Sequence, residues 1–260
     1  MPKYFTAGLI LSLLVNISNA PLLATEKWLE SKSEHLIVYY NNAPESFIDK
    51  LIDKAEDYYN EIADDLGFRR FNFWLWDNRA KVYVYDGAAE YQAATGLPPW
   101  SAGAAVPRDK IIHTFPNKQG FLDVVLPHEM AHIIFREFVG FNNTAVPLWL
   151  DEGVASYEQG ARRQGSKEIV KQALAKDTFI SLSDLCKINP LSLGDEKAVD
   201  LFYAEALSLI DYLIKKFGQD SFVSFCQGLR DKKNLDAAIR YAYGFADLED
   251  LNEAWQKSLK

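Results

Sequence analysis

Leu126-Pro-His-Glu-Met-Ala-His132, followed by Trp149-Leu-Asp-Glu-Gly-Val-Ala-Ser156, is the part of the sequence on which its fold turns. His128 and His132 stand four apart, so a helix through them projects both imidazoles from one face, about one turn apart. Such a pair can hold a single Zn²⁺, with Glu129 beside the first histidine aimed at the water on the ion. The helix is signalled by Ala131, Ile133, Ile134, Phe135 and Phe138, apolar residues that wrap it into a core. Pro127 fits a first turn, where a missing N–H costs little, or kinks a longer helix starting near Phe121.

A catalytic zinc keeps three protein ligands and one open position. The chain has four histidines; none follows His132, and His35 and His113 lie upstream in or beside strand-like runs. A carboxylate is therefore expected as the third ligand, and Glu152 is well placed. Val154, Ala155 and Tyr157 suit a second helix that packs on the first and carries Glu152 to the metal. Asp151 is the neighbouring alternative. Without a metal, Glu152 would be a first-turn carboxylate favoured by the helix dipole, and Glu129 a surface acid.

Strands and helices alternate upstream of this region. Leu36-Ile-Val-Tyr-Tyr40 and Lys81-Val-Tyr-Val-Tyr85 read as strands, as does Lys110-Ile-Ile-His-Thr-Phe115. Between the first two, Phe47, Leu51, Ile52, Ala55, Tyr58, Tyr59, Ile62 and Leu66 recur at helical spacing from Pro44 until Gly67 stops them. A short helix near Ala88–Ala94 gives way to a loop at Gly96-Leu-Pro-Pro. The aromatic run from Phe71 to Trp76 reads as core beside a strand. From Gly120 onward four or five helical segments are expected. The layout is α+β: an N-terminal lobe over residues 25–140 that ends in the metal-binding helix, then a helical lobe over 141–260.

Composition narrows the classes. With 260 residues, 48% hydrophobic and 25% charged, the chain is too apolar for disorder. A net charge of −8 offers no basic stripe, so no nucleic-acid partner is expected. Two cysteines, Cys186 and Cys226, exclude a thiolate zinc cage; a disulfide between them and two separate thiols both remain open. Lys3, the apolar run Tyr4–Ile17 and Ser18-Asn19-Ala20 form an export signal over residues 1–20. The product is expected outside the cytoplasm, periplasmic or extracellular, and meets a membrane only if that segment stays uncleaved.

The two-part motif resembles the gluzincin metallopeptidases, and the run from Leu36 through Phe202-Tyr-Ala-Glu-Ala206 is similar to the compact bacterial peptidase MA-like family, over roughly residues 34–255. The resemblance implies a zincin-like fold with a mixed N-terminal sheet, and one Zn²⁺ on His128, His132 and Glu152. It also implies Glu129 as general base and acid, and a peptide or protein substrate. Aminopeptidase N-like relatives steady the oxyanion with a tyrosine, for which Tyr203 is the candidate; as a plain core aromatic it would pack with Leu201, Leu207 and Ile210. The carboxylates that orient the zinc histidines in such relatives fall here on Ser156 and Gln159, which leaves the orienting group open. The strand Lys110–Phe115 resembles the edge strand on which gluzincins lay a peptide, where His113 is either a substrate contact or structural. A second function stands beside hydrolysis: a non-catalytic exported protein whose zinc only stabilises the lobes or a binding surface.

Overall fold

The computed structural model describes residues 28–259 apart from 70, 72, 98–100, 117–119 and 161–162. The export segment 1–20 and the tip of the Gly96–Gly103 loop lie outside the described residues. Five strands among the described residues form one mixed sheet: β1 (Leu29–Lys32), β2 (Leu36–Tyr40), β3 (Ala80–Val84), β4 (Gly103–Val106) and β5 (Ile111–Thr114), in the order β1-β2-β3-β5-β4. β2, β3 and β5 run parallel, while β1 and β4 pair antiparallel at the two edges.

Alternation in the strands decides which face is core. Leu36 and Val38 of β2, then Ala80, Val82 and Val84 of β3, are buried on one face. α1 (Glu45–Asp65) covers it with Ile48, Leu51, Ala55, Tyr59 and Ile62. Pro44 starts that helix, and Gly67, at φ +76, ends it as expected. On the opposite face Trp28, Tyr83, Tyr85 and His113 pack with Tyr91 of α2 (Ala88–Thr95).

Two strands left no clear mark on the sequence. β1 is Leu-Glu-Ser-Lys, polar and largely exposed, and β4 is Gly-Ala-Ala-Val, with weak strand preference. Each forms by pairing with a stronger neighbour. This corrects the expectation for Lys110–Phe115: its strand, β5, lies inside the sheet between β3 and β4, and the edge is β4. His113 on β5 is structural. Its Nδ1 lies 3.0 Å from the Tyr85 hydroxyl, the ring stacks on Tyr83 and Tyr85, and burial lowers its pKa to about 4.

The remainder is helical: α3 (Leu126–Val139), α4 (Leu148–Tyr157), α5 (Arg163–Ala175), α6 (Leu182–Leu185), α7 (Glu196–Phe217), α8 (Gln219–Lys232), α9 (Leu235–Tyr243) and α10 (Leu248–Leu259). Among the described residues these eight exceed the four or five expected because turns divide the apolar pattern. Gly218 and Gly244, at φ +83 and +79, end α7 and α9. α7 is central and packs along α4 and α5. One cluster of buried side chains reaches from Leu36 of β2 to Trp255 and Leu259 of α10, so the sheet and the helical half share a core.

In the Phe71–Trp76 run, Trp74 is fully buried, and Phe71 and Phe73 pack on Phe68 and Phe138. Trp76 departs from the core reading at 81% exposed. Cys186 and Cys226 are both free thiols; Cys186 Sγ accepts a hydrogen bond from Trp149 Nε1 at 3.2 Å.

α7 also buries an acid. Glu205 accepts the Ile180 N–H at 3.0 Å, and burial raises its pKa from 4.5 to about 8. The folded chain thus keeps a proton that the unfolded chain has released between those values. The contribution of this residue is fully present below pH 4.5 and is lost as pH rises to about 8. Glu205→Gln keeps an acceptor for Ile180 and does not titrate. Denaturant melts at pH 5 and pH 8.5 should show wild type losing on the order of 3 kcal/mol more than the variant. Equal losses would mean that Glu205 titrates normally.

Candidate metal centre

α3 enters the site through an unusual turn. Gly120, at φ +69, is followed by a π turn over Phe121–Val125 that runs directly into Leu126. Pro127 has no N–H for the carbonyl one α-turn back, which is where a wider turn is tolerated. The α-helix proper thus begins at Leu126 with Pro127 in its first turn, and the π turn carries the helical run back to Phe121. Gln159 Nε2, just past the end of α4, donates to Val124 O at 3.2 Å and ties α4 to this turn.

Apolar residues flank His128, Glu129 and His132 on α3, and the helix is buried along nearly its whole length. α4 crosses it with Glu152. His128, His132, Glu129 and Glu152 are each at most 2% exposed. The two Nε2 atoms lie 3.2 Å apart, and Glu152 Oε2 lies 3.6 Å from His128 Nε2 and 3.7 Å from His132 Nε2. Four ligands about 2.1 Å from a tetrahedral zinc are about 3.4 Å from one another. The three donor atoms thus sit near the corners such an ion requires. Two imidazoles and a carboxylate are also a donor set that zinc accepts with an open fourth position.

An orienting carboxylate is present where the motif did not place it. Asp151 Oδ1 lies 3.0 Å from His132 Nδ1, which turns Nε2 toward Glu152. Its Oδ2 accepts from Arg136 Nε and is paired with Nη2, both at 2.7 Å. Burial by itself would raise the pKa of Asp151, but His132 and Arg136 outweigh it and hold the carboxyl at about 2. Burial likewise works against the charged form of His132, yet Asp151 and Glu152 raise it to about 9, so an ion entering there displaces a proton. The clue in the sequence was spacing: Arg136 follows His132 by four on the same helix, and Asp151 precedes Glu152. Asp151→Asn leaves Arg136 buried opposite a neutral amide. Competition with a chelator should show metal affinity 10- to 100-fold weaker; unchanged affinity would make the pair merely structural.

Glu129 lies beside the three donors. Burial is the largest influence on it and raises its pKa to about 7. Its Oε2 accepts the N–H of Ala105, in β4, at 3.0 Å. Tyr203 is buried on α7. One turn further along α7 is Ala206, whose backbone carbonyl is against Gly153 of α4, so Tyr203 is on the face of α7 turned to α4. Ser156 is buried one turn beyond Glu152.

A mixed sheet with an antiparallel edge strand, two helices presenting two histidines and a glutamate, and a helical remainder define a zincin-like α+β protein. The family model of the Peptidase MA superfamily matches residues 76–260, and the chain belongs to that superfamily. Membership makes it metallopeptidase-like, a class that suggests peptide or protein substrates. β1, β2 and α1 precede the matched region. No curated protein matches the chain significantly.

Proposed function

We propose that this chain is an exported zinc metallopeptidase of the gluzincin type. The observation that carries the reading is the convergence of His128, His132 and Glu152 on one point, at spacings that suit a tetrahedral ion, in a chain of this superfamily. A zinc ion bound there supplies a Lewis acid that polarises the scissile carbonyl and acidifies water. Glu129 takes the proton of the attacking water and delivers it to the leaving amine, a role suited to a carboxyl poised near neutral pH. Tyr203 donates its hydroxyl proton in a hydrogen bond to the carbonyl oxygen as negative charge builds there. Asp151 and Arg136 keep His132 in the ligating orientation.

The test is metal analysis of the purified mature protein together with hydrolysis of a peptide library. One zinc per chain, activity lost to a chelator and restored by zinc, and a kcat lowered by Tyr203→Phe are expected. A protein with no bound zinc, or hydrolysis indifferent to the chelator, ends the reading. Near-complete burial of the donors supports a second reading, a metal that only locks α3 to α4. It predicts bound zinc and a chelator-sensitive melt without hydrolysis. Export rests on residues 1–20, and an intact Met1 on protein recovered from the cytoplasm would oppose it.

A further inference from the structure

We propose that β4 is the positioning element for Glu129, with the Ala105 amide fixing one carboxylate oxygen so that the other does the proton transfer; this rests on reading Glu129 as the base. In an antiparallel strand, successive residues point their N–H and C=O groups to opposite sides. Ala104 and Val106 stand opposite His113 and Ile111 of β5, while the Ala105 N–H leaves the sheet for Glu129 Oε2 at 3.0 Å. The outward-facing amide of the edge strand is thus taken by the protein's own carboxylate. The other oxygen, Oε1, is buried and has no hydrogen-bond partner among the described residues. The two oxygens are chemically unequal before substrate arrives.

The amide is itself held in place. Ser101 Oγ donates to Gly103 O at 3.2 Å and lies 2.7 Å from the buried Tyr91 hydroxyl. Thr114 Oγ1 donates to Ala102 O at 2.9 Å. A Cβ on Gly103 would meet Phe121 Cε2 at 2.7 Å and Val125 Cγ1 at 3.0 Å, so the strand lies directly on the turn that leads into α3. Strand and helix move together, and the donor keeps its position relative to Glu129. A glutamate side chain otherwise has three torsions to order before it can act. A fixed backbone donor orders it in advance, and preorganisation of that kind raises kcat rather than substrate affinity.

The test replaces the Ala105 amide by an ester, through lactate at position 105 of the full-length zinc-loaded protein. The expected result is a kcat lower by roughly 10- to 100-fold, with KM and bound zinc unchanged. A second arm is independent of activity: amide hydrogen exchange at Ala105 in the wild type and in Glu129→Ala. Slow exchange in the wild type that becomes fast in the variant, with Ala104 and Val106 unaffected, is expected. An ester variant with unchanged kcat, or an Ala105 amide equally protected in both proteins, overturns the proposal. A wild type that hydrolyses no peptide removes the peptidase reading instead, and the exchange arm then decides the hydrogen bond alone.

Discussion

Glu129→Gln is expected to lower kcat by roughly 10²- to 10⁴-fold, the range of general acid–base catalysis, and to leave one zinc bound per chain. The substitution isolates proton transfer from everything else the residue does. Glutamine has the same shape, and its carbonyl can still accept the Ala105 N–H that holds Oε2 at 3.0 Å. It has no oxygen able to take a proton from water near neutral pH. The candidate metal donors His128, His132 and Glu152 are themselves left in place by the substitution. Stability should hold or rise, because a neutral amide escapes the burial that pushes the Glu129 pKa to about 7. Zinc analysis, a thermal melt and peptide kinetics on one preparation read all three effects. Full activity in the variant would remove Glu129 from the chemistry; loss of the metal would show it to be part of the ligand shell.

Gly153→Ala is expected to be the most damaging single-methyl change in the site. A Cβ there would lie 2.7 Å from the Ala206 carbonyl oxygen, 3.0 Å from its carbon and 2.9 Å from Ile210 Cγ1. Ile210 can rotate, but the carbonyl belongs to the backbone of the central helix and cannot. α4 must therefore back away from α7, carrying Asp151 and Glu152 with it. Overpacking of this sort costs about 1–3 kcal/mol, against about 1 kcal/mol returned by the better helix preference of alanine. The net fall in Tm should be a few degrees, about 2–4 °C per kcal/mol. Zinc affinity should fall with it, because the carboxylate no longer sits 3.6–3.7 Å from both imidazoles. A Tm at or above wild type would show that the helices have room to separate.

Local patterns made part of this protein legible before folding. β2, β3 and α1 declare themselves because alternation or helical spacing in their own residues decides which side is buried. The group that could hold a metal did so too, since His128 and His132 lie one turn apart and Glu152 sits within the second motif. What stayed hidden depends on contacts between elements. β4 has four small residues and no pattern, and becomes a strand only because β5 offers it a partner. Lys110–Phe115 looked like an edge because nothing in its own residues records that β4 will cover it. Asp151 could be read as a stand-in ligand. Only the crossing of α3 and α4 gives it His132 on one oxygen and Arg136 on the other. The Ala105 amide had no signature at all, because every non-proline residue has one. Trp76 failed in the opposite direction, an aromatic in a core-forming run that faces solvent.

The depth of the donors has a kinetic meaning. An ion held by His128, His132 and Glu152, donors at most 2% exposed on helices joined through Asp151 and Arg136, would be reached only from its open fourth position, the side a substrate must also use. Full release would further need the two helices to part, so loss to a chelator should be slow and limited by a local opening of the fold. The rate of that loss should reach a plateau as chelator concentration rises, and that plateau times the opening.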